Sequence, residues 1–99
     1  MRRALRITSN AEEQIREAAD WWWRNRRGAV ALFADQLQRG FDLATTQPYA
    51  GVRARDVDLE GVRRLLLSRI RYHLYYTVEG EVVEILAFWH ASRGTPPPI

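Results

Sequence analysis

Two amphipathic stretches meet at a single glycine, and that junction constrains the fold more than any other feature of the chain. Across residues 11–26, Ala11, Ile15, Ala18, Ala19 and Trp22 recur at helical spacing. Across residues 29–45, Val30, Phe33, Leu37, Phe41 and Ala44 do the same. Ser9 with Glu12, or Asn10 with Glu13, reads as a capping box for the first helix, and the acidic pair suits the positive end of its dipole. Arg24, Arg26 and Arg27 crowd the other end, where cations are favoured, and Gly28 stops the helix. So short a connection forces an antiparallel helical hairpin. Pro48 ends the second helix, and Tyr49-Ala50-Gly51 continues as a turn. A hairpin with one apolar stripe per helix needs another layer to bury that stripe.

The other layer is a sheet. Residues 3–7 read as a short strand, with Leu5 and Ile7 alternating against Arg6. The polar residues 52–61 read as a surface loop, and strands follow at 62–67, 71–78 and 82–90. The order β-α-α-β-β-β predicts an α+β fold, a helical hairpin packed on one face of a mostly antiparallel sheet. Glu79-Gly80 is a two-residue hairpin signal that sets Tyr76 opposite Val83, Leu74 opposite Ile85 and Tyr72 opposite Ala87. With Val78 and Trp89 these residues make an apolar face for the helices. The other face pairs Thr77 with Val82, Tyr75 with Glu84, His73 with Leu86 and Arg71 with Phe88, and sets Arg69 opposite His90. Arg64 joins it beside His73 if the preceding turn is centred on Ser68-Arg69. A solvated sheet surface shows the same alternation. Leu86 and Phe88, however, form an apolar patch rimmed by charge, which marks a partner surface.

Length predicts a single domain at residues 1–93, followed by a proline-rich tail at 94–99 that is neither helix nor central strand. With no cysteine, disulfides and thiolate-ligated metals are excluded. The N-terminus carries charge with no apolar stretch behind it, and no apolar run reaches membrane length; a cytoplasmic protein with no membrane partner is expected. The formal net charge is +3, and all 15 basic residues are arginines. Genomic composition bias explains that usage, and so does a surface that grips phosphate or carboxylate bidentately. No glycine-rich phosphate loop or nucleophile–base motif is visible. His73 and His90 are not adjacent in the expected register, and Glu84 is the sole carboxylate on their face, so neither metal nor cofactor is expected. Trp21-Trp22-Trp23 spans about 200° of a helix, too wide for all to face the core. Trp22 lies on the stripe, and Trp21 or Trp23 at its edge is either packed there or exposed as a partner anchor.

Several segments in order carry a resemblance: Ala11-x-x-x-Ile15-x-x-Ala18 with Trp22-Trp23, Phe33 through Leu37, Pro48-x-x-Gly51, Gly61-Val62-Arg63-Arg64-Leu65, Tyr72-His73-Leu74-Tyr75-Tyr76-Thr77-Val78, and residues 82–90 with Arg93. Their order, spacing and length resemble the RelE/ParE toxins of bacterial type II toxin–antitoxin systems across nearly the whole chain. The resemblance implies a toxin silenced in a hetero-oligomer by a cognate antitoxin, which lays an extended or helical tail over it. It further implies one of two targets. RelE-like members enter the ribosomal A site and cleave mRNA, which needs a proton-transfer group near the 2′-hydroxyl and cations for the developing charge. On that reading His90 or His73 would transfer protons, and Arg64, Arg71 and Arg93 would carry the phosphate. ParE-like members inhibit DNA gyrase and lack that set.

Departures from the ribonuclease pattern favour the ParE-like reading. Ala91 follows His90 where a tyrosine is usual, lysines are absent, and Asp56, Asp58 and Glu60 dilute the basic loop. His73 stands where an arginine is common. The long helical hairpin and Arg69-Ile70-Arg71-Tyr72 point the same way. Arg69, Tyr75, Glu84, Leu86, Phe88 and Trp23 are the expected partner contacts. A third reading is an inactive module that serves only as the antitoxin's co-repressor.

Overall fold

The computed structural model describes residues 2–99; Met1, the first residue of the expected domain, lies outside the described residues. The elements are β1 (Ala4–Ile7), α1 (Ser9–Asn25), a 3₁₀ turn (Arg27–Ala29), α2 (Val30–Thr46), β2 (Val52–Arg53), β3 (Arg63–Leu67), β4 (Tyr72–Glu79) and β5 (Val82–His90). The strands lie side by side in the order β1-β5-β4-β3-β2, with β1 parallel to β5 and the other pairs antiparallel. This is the expected α+β architecture with one strand added. β2 occupies the start of the stretch read as loop: Val52 and Arg53 pair with Arg64 and Arg63, and the Ala54 N–H donates to the Val62 carbonyl at 2.8 Å. Without β2, that part of β3 would be an unpaired sheet edge.

The helices form where their apolar spacing requires. Ala11, Ala18, Trp22, Phe33 and Ala44 are buried, and Ile15, Ala19, Leu37 and Phe41 pack against them. At the centre Phe33 lies 5.5 Å from Trp22, 6.0 Å from Tyr72 and 5.9 Å from Phe88, between ring centroids, while Tyr72 and Phe88 stack at 4.5 Å. The N-cap of α1 is Thr8, one residue before the expected Ser9 or Asn10. Its backbone is extended and its hydroxyl accepts from the Ala11 N–H at 3.1 Å. Thr8 takes the role because its own N–H is held by the Ile85 carbonyl at 3.0 Å, so the chain leaves the sheet there. Thr8→Ala is expected to cost about 1 kcal/mol, the usual worth of a lost cap. Urea unfolding should show a lower midpoint with an unchanged slope.

The β4–β5 register departs from expectation twice. The turn is Gly80-Glu81, so Glu79 pairs with Val82 and Val78 with Val83. Gly80, at φ +57°, supplies the left-handed residue at the first turn position. This slip moves each partner by two residues and keeps every side chain on its expected face. The second departure does not. Tyr76 pairs with Ile85 but Tyr75 pairs with Ala87, leaving Leu86 as a bulge. Beyond the bulge the faces exchange: Phe88 and His90 turn toward the helices, and Ala87 and Trp89 turn away. The first turns of α1 take up the backbone groups the bulge releases. The Leu86 carbonyl accepts from Asn10 Nδ2 at 3.1 Å and Thr8 Oγ1 at 3.4 Å, and the Phe88 N–H donates to Gln14 Oε1 at 2.8 Å. Phe88 is therefore a core residue, 2% exposed, rather than an open-face partner contact.

The tail is extended and folds back on the sheet. Trp89 Nε1 donates to the Thr95 carbonyl at 2.8 Å, Asn10 Nδ2 to the Pro98 carbonyl at 2.8 Å, and Pro97 is buried.

Candidate functional site

Two concave surfaces meet at the end of β5. The larger is a groove of about 820 Å³ between the C-terminal half of α1, the β3–β4 turn and the last residues of β5. Its floor is apolar: Trp22, Ile70, Tyr72 and Phe88. Ile70, 2% exposed, plugs the turn into the core, and this leaves Arg69 and Arg71 exposed on either side of it. The turn closes through the Leu67 carbonyl, which accepts from the Arg71 N–H at 2.7 Å. Its other anchor is the Arg71 carbonyl, which accepts from the Ala91 N–H at 2.7 Å. Arg71 has φ +65° and is the only non-glycine in the left-handed region among the described residues. Such a residue costs about 1–3 kcal/mol, and strain of this kind gathers at functional sites.

His90 borders the groove with its ring against Tyr72, 4.9 Å between centroids. Its Nδ1 accepts from the Ser92 N–H at 3.2 Å and lies 2.6 Å from Ser92 Oγ. Burial, then Arg71 and Arg93, hold its pKa below the ordinary histidine value.

The smaller surface, about 210 Å³, is a cleft at the open sheet face lined by Asp56, Arg64, His73, Tyr75, Trp89, His90 and Arg93, with the tail at one side. Tyr75 Oη donates to Asp56 Oδ2 at 2.7 Å, and Arg64 Nη1 lies 3.4 Å from the same oxygen. Burial and then the bond to Asp56 push the Tyr75 hydroxyl up to about 12. Burial, followed by Arg64, lowers the His73 pKa against an opposing pull from Asp56. Arg93 stacks 3.9 Å above the Trp89 ring.

Of the ribonuclease set expected from the resemblance, Arg64, His73, His90 and Arg93 line the smaller cleft together, while Arg71 stands on the groove, which His90 and Arg93 also border. The bulge at Leu86 turns the histidines to opposite sheet faces, His73 against Tyr75 and His90 against Tyr72, though both still border the smaller cleft at the end of β5. Arg71 and Arg69, expected opposite Phe88 and His90, instead belong to the β3–β4 turn. Tyr75 and Leu86, expected as partner contacts, are 1% and 7% exposed. Ala54, Val57 and Val62 cover them in a second small core, because the segment read as surface loop folds over the open face. Glu84 is half-buried, 3.7 Å from Arg6. Trp23 is 54% exposed with Arg27 4.5 Å above its ring, and Trp21 is 46% exposed at the groove. Sequence reasoning missed Trp22 Nε1, which is buried with no hydrogen-bond partner among the described residues. No group of three or more His, Cys, Asp or Glu placed to hold a metal occurs among the described residues.

Both histidines have folded pKa values below the reference of 6.5. The unfolded chain therefore binds protons first as pH falls below about 6.5, so stability is lost on acidification and is full above that pH. Replacing both by glutamine should flatten the loss between pH 7 and pH 5.5 in urea midpoints; an unchanged slope would assign the effect to other groups.

The helical hairpin over a five-stranded sheet has a counterpart of known structure. It is a chain from "Chromosomal ParDE TA system from P. aeruginosa", matched at a TM-score of 0.73 and 18% sequence identity, covering 91% of this chain and 97% of that one. That likeness concerns the fold. The family model described as "ParE toxin of type II toxin-antitoxin system, parDE" matches residues 5–94. The chain belongs to the ParE toxin family of type II toxin–antitoxin systems. No functionally curated protein matches it in sequence. Among the described residues no helix is long and apolar enough to cross a membrane.

Proposed function

We propose that this ParE-family toxin inhibits DNA gyrase in the cytoplasm, does not cleave RNA, and is silenced by a cognate antitoxin. The observation that carries the reading is the match of the ParE toxin family model to residues 5–94. In the cleft that His73 and His90 share, Tyr75, Asp56 and Arg64 are committed to one another, and burial and then Arg71 and Arg93 disfavour protonation of His90. The family match supports a gyrase target, because the resemblance implies that target for ParE-like members. Arg69, Arg71, Trp21 and Trp23 are the exposed groups we assign to partner contacts.

Purified toxin freed of its antitoxin tests the reading in two tubes. One holds gyrase and relaxed plasmid, the other translating ribosomes with a defined mRNA. The expected result is blocked supercoiling with intact mRNA, retained by His90→Ala. Codon-dependent cleavage with normal supercoiling, abolished by His90→Ala, would replace this reading with a ribonuclease. An inert result in both tubes would leave the chain as a co-repressor.

A further inference from the structure

The turn that ends β5 brings a nucleophile onto a base. Ser92 Oγ lies 2.6 Å from His90 Nδ1, and the Ser92 backbone N–H donates to the same nitrogen at 3.2 Å. A backbone amide only donates, so Nδ1 is the bare nitrogen of the neutral ring and the proton sits on Nε2. The hydroxyl must therefore donate to Nδ1 as well. In this arrangement an imidazole removes the proton of an attacking hydroxyl. The surrounding turn is fastened on both sides. The Arg93 N–H donates to the His90 carbonyl at 3.1 Å, the Ala91 N–H donates to the Arg71 carbonyl at 2.7 Å, and the imidazole packs edge-on against Tyr72. His90 is half-buried, whereas Ser92 is exposed and open to a reagent.

Charge selects the reagent. Burial and then Arg71 and Arg93 lower the pKa of His90, which keeps the imidazole in its basic form at neutral pH. Arg69, Arg71 and Arg93 are exposed, border the groove that His90 also borders, and are in no ion pair among the described residues. Glu17 and Asp20 are the carboxylates of that groove, and Asp56 in the adjoining cleft is engaged by Tyr75 and Arg64. Uncommitted guanidinium groups favour a donor whose leaving group is an oxyanion.

We propose that Ser92 is an acylation site, with His90 as its base and an acyl phosphate as the donor. Ser92 Oγ attacks the carbonyl carbon and passes its proton to His90 Nδ1. The bond from Oγ to that carbon forms, the bond from the carbon to the phosphate oxygen breaks, and inorganic phosphate leaves beside the arginines. His90 then gives the proton to solvent. The inference goes beyond the gyrase reading and does not depend on it.

The test incubates the full-length toxin with acetyl phosphate, quenches in acid and locates the acetyl group by peptide mass spectrometry. A neutral fluorophosphonate serves as a second reagent. The chain has no lysine to compete, and its other serines, Ser9 and Ser68, are exposed internal controls with no histidine contact. Ser92 is expected to react about 100-fold faster than either, the lower range of general-base assistance. His90→Gln should bring Ser92 down to the rate of Ser68. Arg93→Gln should slow acetyl phosphate while leaving the fluorophosphonate within about twofold. Should His90→Gln fold poorly, the parent alone still decides: its rate should fall in D2O, because a proton moves in the step. Equal rates at the three serines, undiminished labelling in His90→Gln or an unchanged rate in D2O overturns the proposal. A phosphoryl group on Ser92 in place of the acetyl group overturns the acyl chemistry.

Discussion

Phe33→Ala is expected to lower the unfolding free energy by about 3–5 kcal/mol, the range for truncating a buried phenylalanine. Phe33 is 4% exposed and touches the aromatic residue of each neighbouring layer: Trp22 on α1, Tyr72 on β4 and Phe88 on β5. The three contacts come from different elements, so collapse around the cavity would have to move two strands and a helix together. A small domain has only about 5–15 kcal/mol in all, so this one truncation consumes a large share of its margin. Phe33→Leu keeps most of the volume and should cost roughly 1–2 kcal/mol. Guanidinium unfolding followed by tryptophan fluorescence measures both. A loss under about 1 kcal/mol for the alanine variant would mean the cluster repacks freely, contrary to the close packing of ordinary protein cores.

Gly51→Ala is the second large effect, expected at about 2–4 kcal/mol from overpacking and a lost hydrogen bond together. An added Cβ would overlap Tyr76 Oη and approach the Arg64 carbonyl to 3.0 Å, and the latter is backbone that cannot swing aside. The site is also fully bonded. The Gly51 N–H donates to Tyr76 Oη at 3.0 Å, Tyr76 Oη donates to the Pro48 carbonyl at 2.7 Å, and Arg63 Nη1 donates to the Gly51 carbonyl at 2.8 Å. Tyr76→Phe removes the overlapping oxygen, so the double variant should be less destabilised than the sum of the singles. Strict additivity in that cycle would place the strain at Arg64 alone. Because Gly51 precedes β2, the damage should spread to the segment that carries Asp56. Loss of the Asp56 bond should let the Tyr75 hydroxyl titrate below its native value of about 12.

Local periodicity made most of this architecture readable. The helical hairpin, the strands at 63–67, 72–79 and 82–90, and the helix-facing side of β4 follow from spacings of three to four and of two residues. What escaped was set at a distance. The bulge at Leu86 leaves no mark in its own strand, which holds neither glycine nor proline; its reasons are Thr8, Asn10 and Gln14, more than seventy positions earlier. That single residue moved Phe88 from the surface to the core and turned His90 to the sheet face opposite His73. Likewise, the burial of Tyr75 and Leu86 depends on how residues 54–62 cross the open face, which their polar composition does not disclose. Arg69 and Trp23 were legible because exposure at a turn or beside a helix stripe is a local property. Trp22 was legible as core, but its unsatisfied Nε1 needed three dimensions.

The parallel pairing of β1 with β5 has a consequence in time. Ala4 is hydrogen-bonded into register with Val82, so the first strand finds its neighbour only after the last one exists. Helical hairpins form within microseconds, whereas non-local and parallel strand pairing is slow. At about 5–20 residues per second, the emerging chain spends seconds with its helices made and its N-terminal strand unpaired. Thr8, the cap of α1, is also fastened to Ile85, so the helix gains its final anchor in the same late step. A newly made toxin of this design is therefore incomplete until β5 has been synthesised.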